Sequence, residues 1–209
     1  MTLILIILFA TFLILTGLAY FGQLQLAVYF GLVVIVCSII LLFLWLNEMV
    51  NVFVKGNAPY VRTSRKLINK MLNDIEFKDG SSVYELGCGD GRFIRALAKK
   101  NKNLKITGFE YFIVPYLMGR TMNIFSKAKV KIKLQDFFKV DLSGVDYIFC
   151  YLINTEQEKL KEKLNKELKP GAIVISNTFK FKDWQPIKTI EINKAKKSGL
   201  SNFVYIYQK

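Results

Sequence analysis

The chain contains no histidine. That absence excludes Ser-His-Asp and Cys-His nucleophilic catalysis as usually built, and it removes the commonest zinc ligand. Cysteine is scarce. Cys37, Cys88 and Cys150 have neither metal-ligand spacing nor the pattern of a disulfide framework, so they read as reduced, buried thiols, and no metal is expected. Charge is missing from one end. The first 47 residues hold no charged side chain, although the whole chain carries a formal +14. No internal repeat appears, nor any low-complexity segment outside the apolar runs. No basic-aromatic motif of an RNA-binding module stands out, so nucleic acid is not an expected partner.

The uncharged end consists of two apolar runs, Leu3–Tyr20 and Leu26–Leu46, joined by Phe21-Gly22-Gln23-Leu24-Gln25. A spanning helix needs about 20 apolar residues. A secretory signal is the competing reading of the first run, but the run lacks a basic n-region and a small-x-small cleavage site. The expectation is therefore a two-helix transmembrane hairpin over residues 1–47, turning at Gly22-Gln23. Lys55, Arg62, Arg65, Lys66 and Lys70 follow the second run. Two spans with this flanking charge lead to the expectation of an integral membrane protein, the positive-inside bias placing the domain that follows on the cytoplasmic face with the lipid bilayer as a partner.

Residues 48–80 read as a juxtamembrane connector and a pre-sheet helix, with Thr63 at its N-cap and Leu67, Ile68, Met71, Leu72 and Ile75 at helical spacing. Residues 81–209 alternate strand and helix patterns, as an α/β, Rossmann-like parallel sheet requires. Strands are expected at Ser82–Leu86, Leu104–Glu110, Val130–Gln135, Val145–Tyr151 and Ala172–Ser176, with helices at Arg92–Lys100, Ile113–Ser126 and Glu156–Leu168. Ile187–Ile192 and Asn202–Tyr207 read as a final antiparallel pair separated by Lys194–Gly199, which makes seven strands in all.

The most informative stretch is Glu85-Leu86-Gly87-Cys88-Gly89-Asp90-Gly91-Arg92. A strand that must turn sharply into a helix needs residues without Cβ atoms there, and the helix N-terminus then offers free N–H groups to an anion. Dinucleotide folds prefer G-x-G-x-x-G. The G-x-G-x-G spacing instead resembles motif I of the class I S-adenosylmethionine-dependent methyltransferases.

Acids at the carboxyl ends of parallel strands face the ligand crevice. Glu110 suits a pair of ribose hydroxyls, Asp136 the adenine amino group with Phe137 covering the ring, and Glu85 the ammonium end of a methionyl group. Gly87, Gly89 and Gly91 complete the cofactor set. Tyr151, Asn154 and Thr155, at the end of the central strand, face the acceptor, where hydroxyl and carbonyl oxygens would position an amine.

A narrower resemblance rests on Ala58-Pro59-Tyr60-Val61-Arg62-Thr63-Ser64, the glycine stretch, Gly108-Phe109-Glu110, Gln135–Leu142, Lys163–Gly171 and Asn177–Pro186. Together these look like one group of protein lysine methyltransferases, which includes soluble archaeal enzymes and membrane-anchored mitochondrial enzymes, the latter acting on the ATP synthase c-subunit and the adenine nucleotide translocase. The resemblance implies S-adenosyl-L-methionine as cofactor, Tyr60 and Thr63 as part of its site, and a lysine of a membrane or membrane-associated protein as acceptor. The group carries Pro where this chain has Arg62. Two other readings fit the same features: methylation of a lipid or other apolar small molecule, and a non-catalytic basic binding module on the same fold.

Overall fold

The computed structural model describes residues 2–53, 60–126, 128–192 and 203–209. Ala58-Pro59 and Lys194–Gly199, both used in the sequence reading, lie outside the described residues. The chain divides into two units, Met1–Lys55 and Gly56–Lys209.

The first unit is a helical hairpin of α1 (Thr2–Tyr20) and α2 (Leu24–Phe53). Gly22, at φ +72°, makes the turn where the sequence places it. Among the described residues one helix, Leu24–Asn47 within α2, is long and apolar enough to cross a membrane. The expectation of a second span rests on the sequence of α1, whose 19 residues rise about 28 Å at 1.5 Å per residue. The helix α2 does not end at Asn47 but continues to Phe53, because Asn47, Glu48 and Asn51 are polar without breaking a helix. Cys37 is exposed on α2, contrary to the buried thiol expected, whereas Cys88 and Cys150 are buried and free.

The second unit opens with α3 (Arg65–Asp74). Its N-cap is Ser64 rather than Thr63: the Ser64 hydroxyl accepts from the Leu67 N–H at 3.3 Å. Adjacent Thr and Ser both have the oxygen a cap needs, and here Ser64 supplies it.

The order then runs β1 (Ser82–Leu86), α4 (Arg92–Lys100), β2 (Lys105–Glu110), α5 (Ile113–Ser126), β3 (Lys131–Leu134), a single 3-10 turn (Phe137–Lys139), β4 (Tyr147–Cys150), α6 (Asn154–Glu167), β5 (Ile173–Asn177), β6 (Lys188–Glu191) and β7 (Phe203–Gln208). These strands form one seven-stranded sheet in the order β3-β2-β1-β4-β5-β7-β6. The first five are mutually parallel, and β7 enters antiparallel between β5 and β6. The strand order reverses between β1 and β4. Parallel α/β sheets bind their ligands in the crevice beyond the carboxyl ends at such a switch point.

Each face of the sheet has its own apolar core. On one, Leu67 and Met71 of α3 and Phe93, Ile94 and Leu97 of α4 cover Val83, Ile106, Phe149 and Ile175. Phe93 stacks on Phe149 with ring centroids 4.0 Å apart. On the other, Leu160 and Leu164 of α6 cover Leu86, Ile148, Cys150 and Val174. Burying each such side chain contributes roughly 1.5–3 kcal/mol, enough to fix the strand ends on which the site is built.

Candidate active site

At the end of β1 the chain reverses through Gly87–Gly91 into α4. The Gly87 and Cys88 N–H groups both donate to the Phe109 carbonyl at 2.9 Å, which pins the loop to β2. Gly89 has φ +54°, and a Cβ there would meet Tyr60 Cε2 at 2.2 Å. No other residue fits. Gly87 and Gly91 are also left-handed.

Glu110 clamps the loop. Its Oε2 accepts from the Gly89 N–H at 2.7 Å and its Oε1 from the Phe112 N–H at 2.8 Å, and the residue is buried. The sequence reading assigned Glu110 a ligand and not this structural duty. Each carboxylate oxygen can accept more than one hydrogen bond, so the two roles are compatible.

Two further acids converge on the same loop. Glu85 is buried, and its Oε2 has no hydrogen-bond partner. Burial pushes its carboxyl well above the usual range, and the neighbouring Asp90 and Glu110 push it further, against a partial pull from the Ile94 N–H at the start of α4. Asp90 lies beside it. Burial raises its carboxyl too, but the Arg92 guanidinium outweighs that and holds it below the ordinary value. The Arg92 Nη2 to Asp90 Oδ2 distance is 2.8 Å, and the Arg92 N–H donates to Asp90 Oδ1 at 3.2 Å. The N-terminus of α4 is therefore already occupied by carboxylates of the chain itself, where the sequence suggested N–H groups free for a ligand.

Sequence reasoning passed over the Asp90–Arg92 pair. Its signal was an acid two residues before a helix's first arginine. The pair ties the loop to the segment ahead of α3, because Arg92 Nη1 also donates to the Thr63 carbonyl at 3.2 Å. Thr63 thus reaches the site through its backbone and is buried. The Tyr60 ring lies over Gly89, with its buried hydroxyl beside Asp90 and Arg62 but without a well-formed hydrogen bond. Burial raises the Tyr60 pKa. Arg62 is mostly exposed, its Nε 3.9 Å from Asp90 Oδ2.

Asp136 follows β3 and is half-buried. Its Oδ1 caps the 3-10 turn by accepting from the Phe138 N–H at 2.9 Å. Phe137 corrects the sequence reading. Its ring is buried in the second-face core with Val140 and Leu142, because the 3-10 turn points it under the sheet, and it is not free to cover a base. On the acceptor side, Tyr151 is half-buried just past β4 with its ring 6.2 Å from that of Phe179. Asn154 and Thr155 are exposed in the first turn of α6, which starts two residues earlier than the sequence suggests. Tyr60, Thr63, Glu85, Asp90, Glu110 and the glycines gather at one loop. Asp136 stands one strand further out.

Arg92 and Arg62 both face Asp90, whereas the Oε2 of buried Glu85 has nothing to bind. Of the loop itself only Gly87 is exposed. A ligand with an ammonium or sulfonium charge and a hydroxylated ribose fits these residues. Among the described residues no group of three or more His, Cys, Asp or Glu side chains is arranged to hold a metal ion.

Comparison with known proteins agrees with this chemistry. Residues 85–188 match the ANTKMT methyltransferase domain family. A protein-lysine N-methyltransferase of Saccharolobus islandicus is 34% identical over 155 residues, covering 72% of this chain and 93% of that protein. The adenine nucleotide translocase lysine N-methyltransferase of Mus musculus is 29% identical, over 64% of this chain and 58% of its own length. The lysine N-methyltransferase of the ATP synthase c-subunit from Homo sapiens is also 29% identical, over 61% and 54%. The chain thus spans little more than half the length of these mammalian relatives. Among solved structures, an RNA methyltransferase from Salinibacter ruber in complex with S-adenosyl-L-homocysteine superposes with a TM-score of 0.64 at 24% identity, over 71% of this chain and 93% of that one, which supports the fold. The relatives also correct the expected localisation. The expected integral membrane protein with a catalytic domain on the cytoplasmic face does not stand beside relatives that are matched as lysine methyltransferases through the second unit alone.

Proposed function

Because the chain belongs to the class I S-adenosylmethionine-dependent methyltransferases related to the archaeal and mitochondrial protein-lysine enzymes, we propose that it methylates a lysine side chain of a membrane-associated protein. The observation that carries this reading is the orphaned, buried Glu85 Oε2 facing the glycine loop.

When bound, S-adenosylmethionine supplies an electrophilic methyl group on a sulfonium. Glu85 would accept from the ammonium of the methionyl tail, and the backbone of the Gly87–Gly91 loop would hold that tail. Glu110 would accept from ribose hydroxyls as well as from its backbone donors. Asp136 lies at the adenine end, and Tyr60 closes the site from above. Phe137 is left out of this set, because its ring belongs to the core.

The acceptor side holds Tyr151, Asn154 and Thr155, whose oxygens orient an amine. A lysine amine ordinarily has a pKa near 10.4, so it must lose a proton before it can attack. Desolvation of the amine on docking and a neighbouring cation would both lower that pKa. A neutral amine held there would take the methyl group as the sulfur–carbon bond breaks, leaving S-adenosylhomocysteine and a methylated ammonium, one of whose own protons would then pass to water. Alignment at near-attack distance can supply about 7–11 kcal/mol of the barrier reduction, which suits a site without histidine.

The support for a membrane-associated acceptor is twofold. Two relatives are named for lysines of the adenine nucleotide translocase and of the ATP synthase c-subunit. The apolar side chains along α1 and α2 are largely exposed, which suits contact with lipid or with an apolar segment of such a substrate. Incubating membranes with methyl-labelled cofactor tests the proposal. Label that survives delipidation and maps to lysine is the expected result; label extracted with the lipid would point to the small-molecule reading instead.

A further inference from the structure

The edge of β5 holds a second buried polar side chain with a missing partner. Asn177 is fully buried, its Oδ1 accepts from the Thr178 hydroxyl at 3.1 Å, and its Nδ2 has no partner. An amide donor left bare in a core opposes folding. The backbone beside it is strained as well. Thr178 is β-branched yet has φ +69°, and the Phe179 N–H closes back on the Asn177 carbonyl at 2.8 Å. Such tight three-residue turns at left-handed φ are rare and cluster where a site needs them. Packing overdetermines this one. Gln157 Nε2 donates to Ser176 Oγ at 2.6 Å and to the Phe179 carbonyl at 3.1 Å, and Ser176 Oγ donates to that carbonyl at 2.7 Å.

Register aims the residue. Glu85, Phe149 and Ile175 are paired across β1, β4 and β5. Side chains two residues apart share a face, so Tyr151 and Asn177 lie on the face that Glu85 uses, one step nearer the carboxyl edge. Neighbouring strands are about 4.8 Å apart. Asn177 thus stands two strands beyond the glycine loop, past Tyr151, on the acceptor side rather than the cofactor side.

We propose that Asn177 is a positioning residue for the acceptor amine. Turned about its last torsion, the amide gives its Nδ2 hydrogen to Thr178 Oγ1 and presents Oδ1 to an N–H of the incoming lysine. That orients the nitrogen lone pair towards the transferred methyl. The inference rests on the lysine reading of the site.

The test uses the full chain, membranes from cells that lack this protein, and labelled S-adenosylmethionine. Asn177→Ala should lower the rate of lysine labelling at least 30-fold, while S-adenosylhomocysteine affinity by calorimetry stays within 2-fold of wild type. Asn177→Asp supplies a second readout that a structural role would not move. Its carboxylate stabilises the ammonium form of the acceptor, so the rising limb of the pH–rate profile should shift to higher pH. Full labelling by Asn177→Ala, or an unshifted limb in Asn177→Asp with labelling intact, overturns the role of Asn177 and leaves lysine methylation standing. No lysine label with wild-type protein overturns the lysine reading and this inference with it.

Discussion

The two edges of the one sheet follow opposite rules. At the amino edge, Asp146 is fully used. Its Oδ2 accepts from the Ser82 N–H at 2.7 Å and the Ser82 hydroxyl at 2.9 Å, and its Oδ1 takes Lys169 Nζ at 2.6 Å. The Lys169 ammonium, the Ser82 N–H and the Ser82 hydroxyl hold its carboxyl down at about 2. At the carboxyl edge, Glu85 is shifted the other way by burial among acids, and one of its oxygens is unpaired. The same residue class stabilises the fold at one edge and opposes it at the other. The difference marks the edge at which a cation would be stabilising.

Gly89→Arg should break the comparison most severely. Its Cβ alone collides with Tyr60, so calorimetry should detect no cofactor binding. Glu110→Ala removes the carboxylate that holds both Gly89 and Phe112 and should weaken binding on the order of 100-fold, as loss of two charge-assisted bonds implies. A variant of either kind with wild-type affinity would show that the loop is not the cofactor site.

Glu85→Gln tests the strained acid. A carboxyl raised on folding contributes full stability below its unfolded pKa and loses it as pH rises through the raised folded value. The neutral amide should therefore melt higher than wild type at neutral pH, by roughly 1–3 kcal/mol, and the two should converge in acid. The same change should weaken cofactor binding about 10-fold. Lower stability at neutral pH would mean that the carboxylate is satisfied after all.

Asp146→Asn should do the reverse. The depressed pKa contributes stability above the unfolded value near 4, lost as pH falls towards 2. With about a third of the side chain exposed, solvent screening leaves about 1 kcal/mol. Cofactor affinity should not change. Asn154→Ala and Thr155→Ala, both on exposed positions, should leave stability and cofactor affinity alone and lower only the methylation rate, by about 3- to 10-fold.

The contrast between edges also explains what was legible in the sequence. The glycine loop and the acids Glu85 and Glu110 stood out because glycine spacing and strand ends leave a local pattern. Seven strands could be counted, and the antiparallel pairing of the last two followed from their spacing. That β7 inserts beside β5 could not be read, since spacing says nothing about which edge a returning strand joins. Phe137 was misplaced because one 3-10 turn rotates its ring into the core. Asp90 was overlooked because an acid inside a loop looks like a solvated charge until Arg92 is seen closing on it. Asn177 was unreadable for a similar reason: its bare amide is a property of packing, and one-dimensional pattern carries no trace of it.

The central claim is that the acid-ringed loop after β1 binds S-adenosylmethionine as a cation. Calorimetric titration of wild type and Glu85→Gln between pH 5.5 and 7.5, in buffers of differing ionisation enthalpy, tests it most directly. Wild-type affinity should rise with pH and binding should release protons from Glu85, while the variant gives a flat, weaker profile. Identical pH-independent binding in both proteins, or no binding at all, would contradict the account.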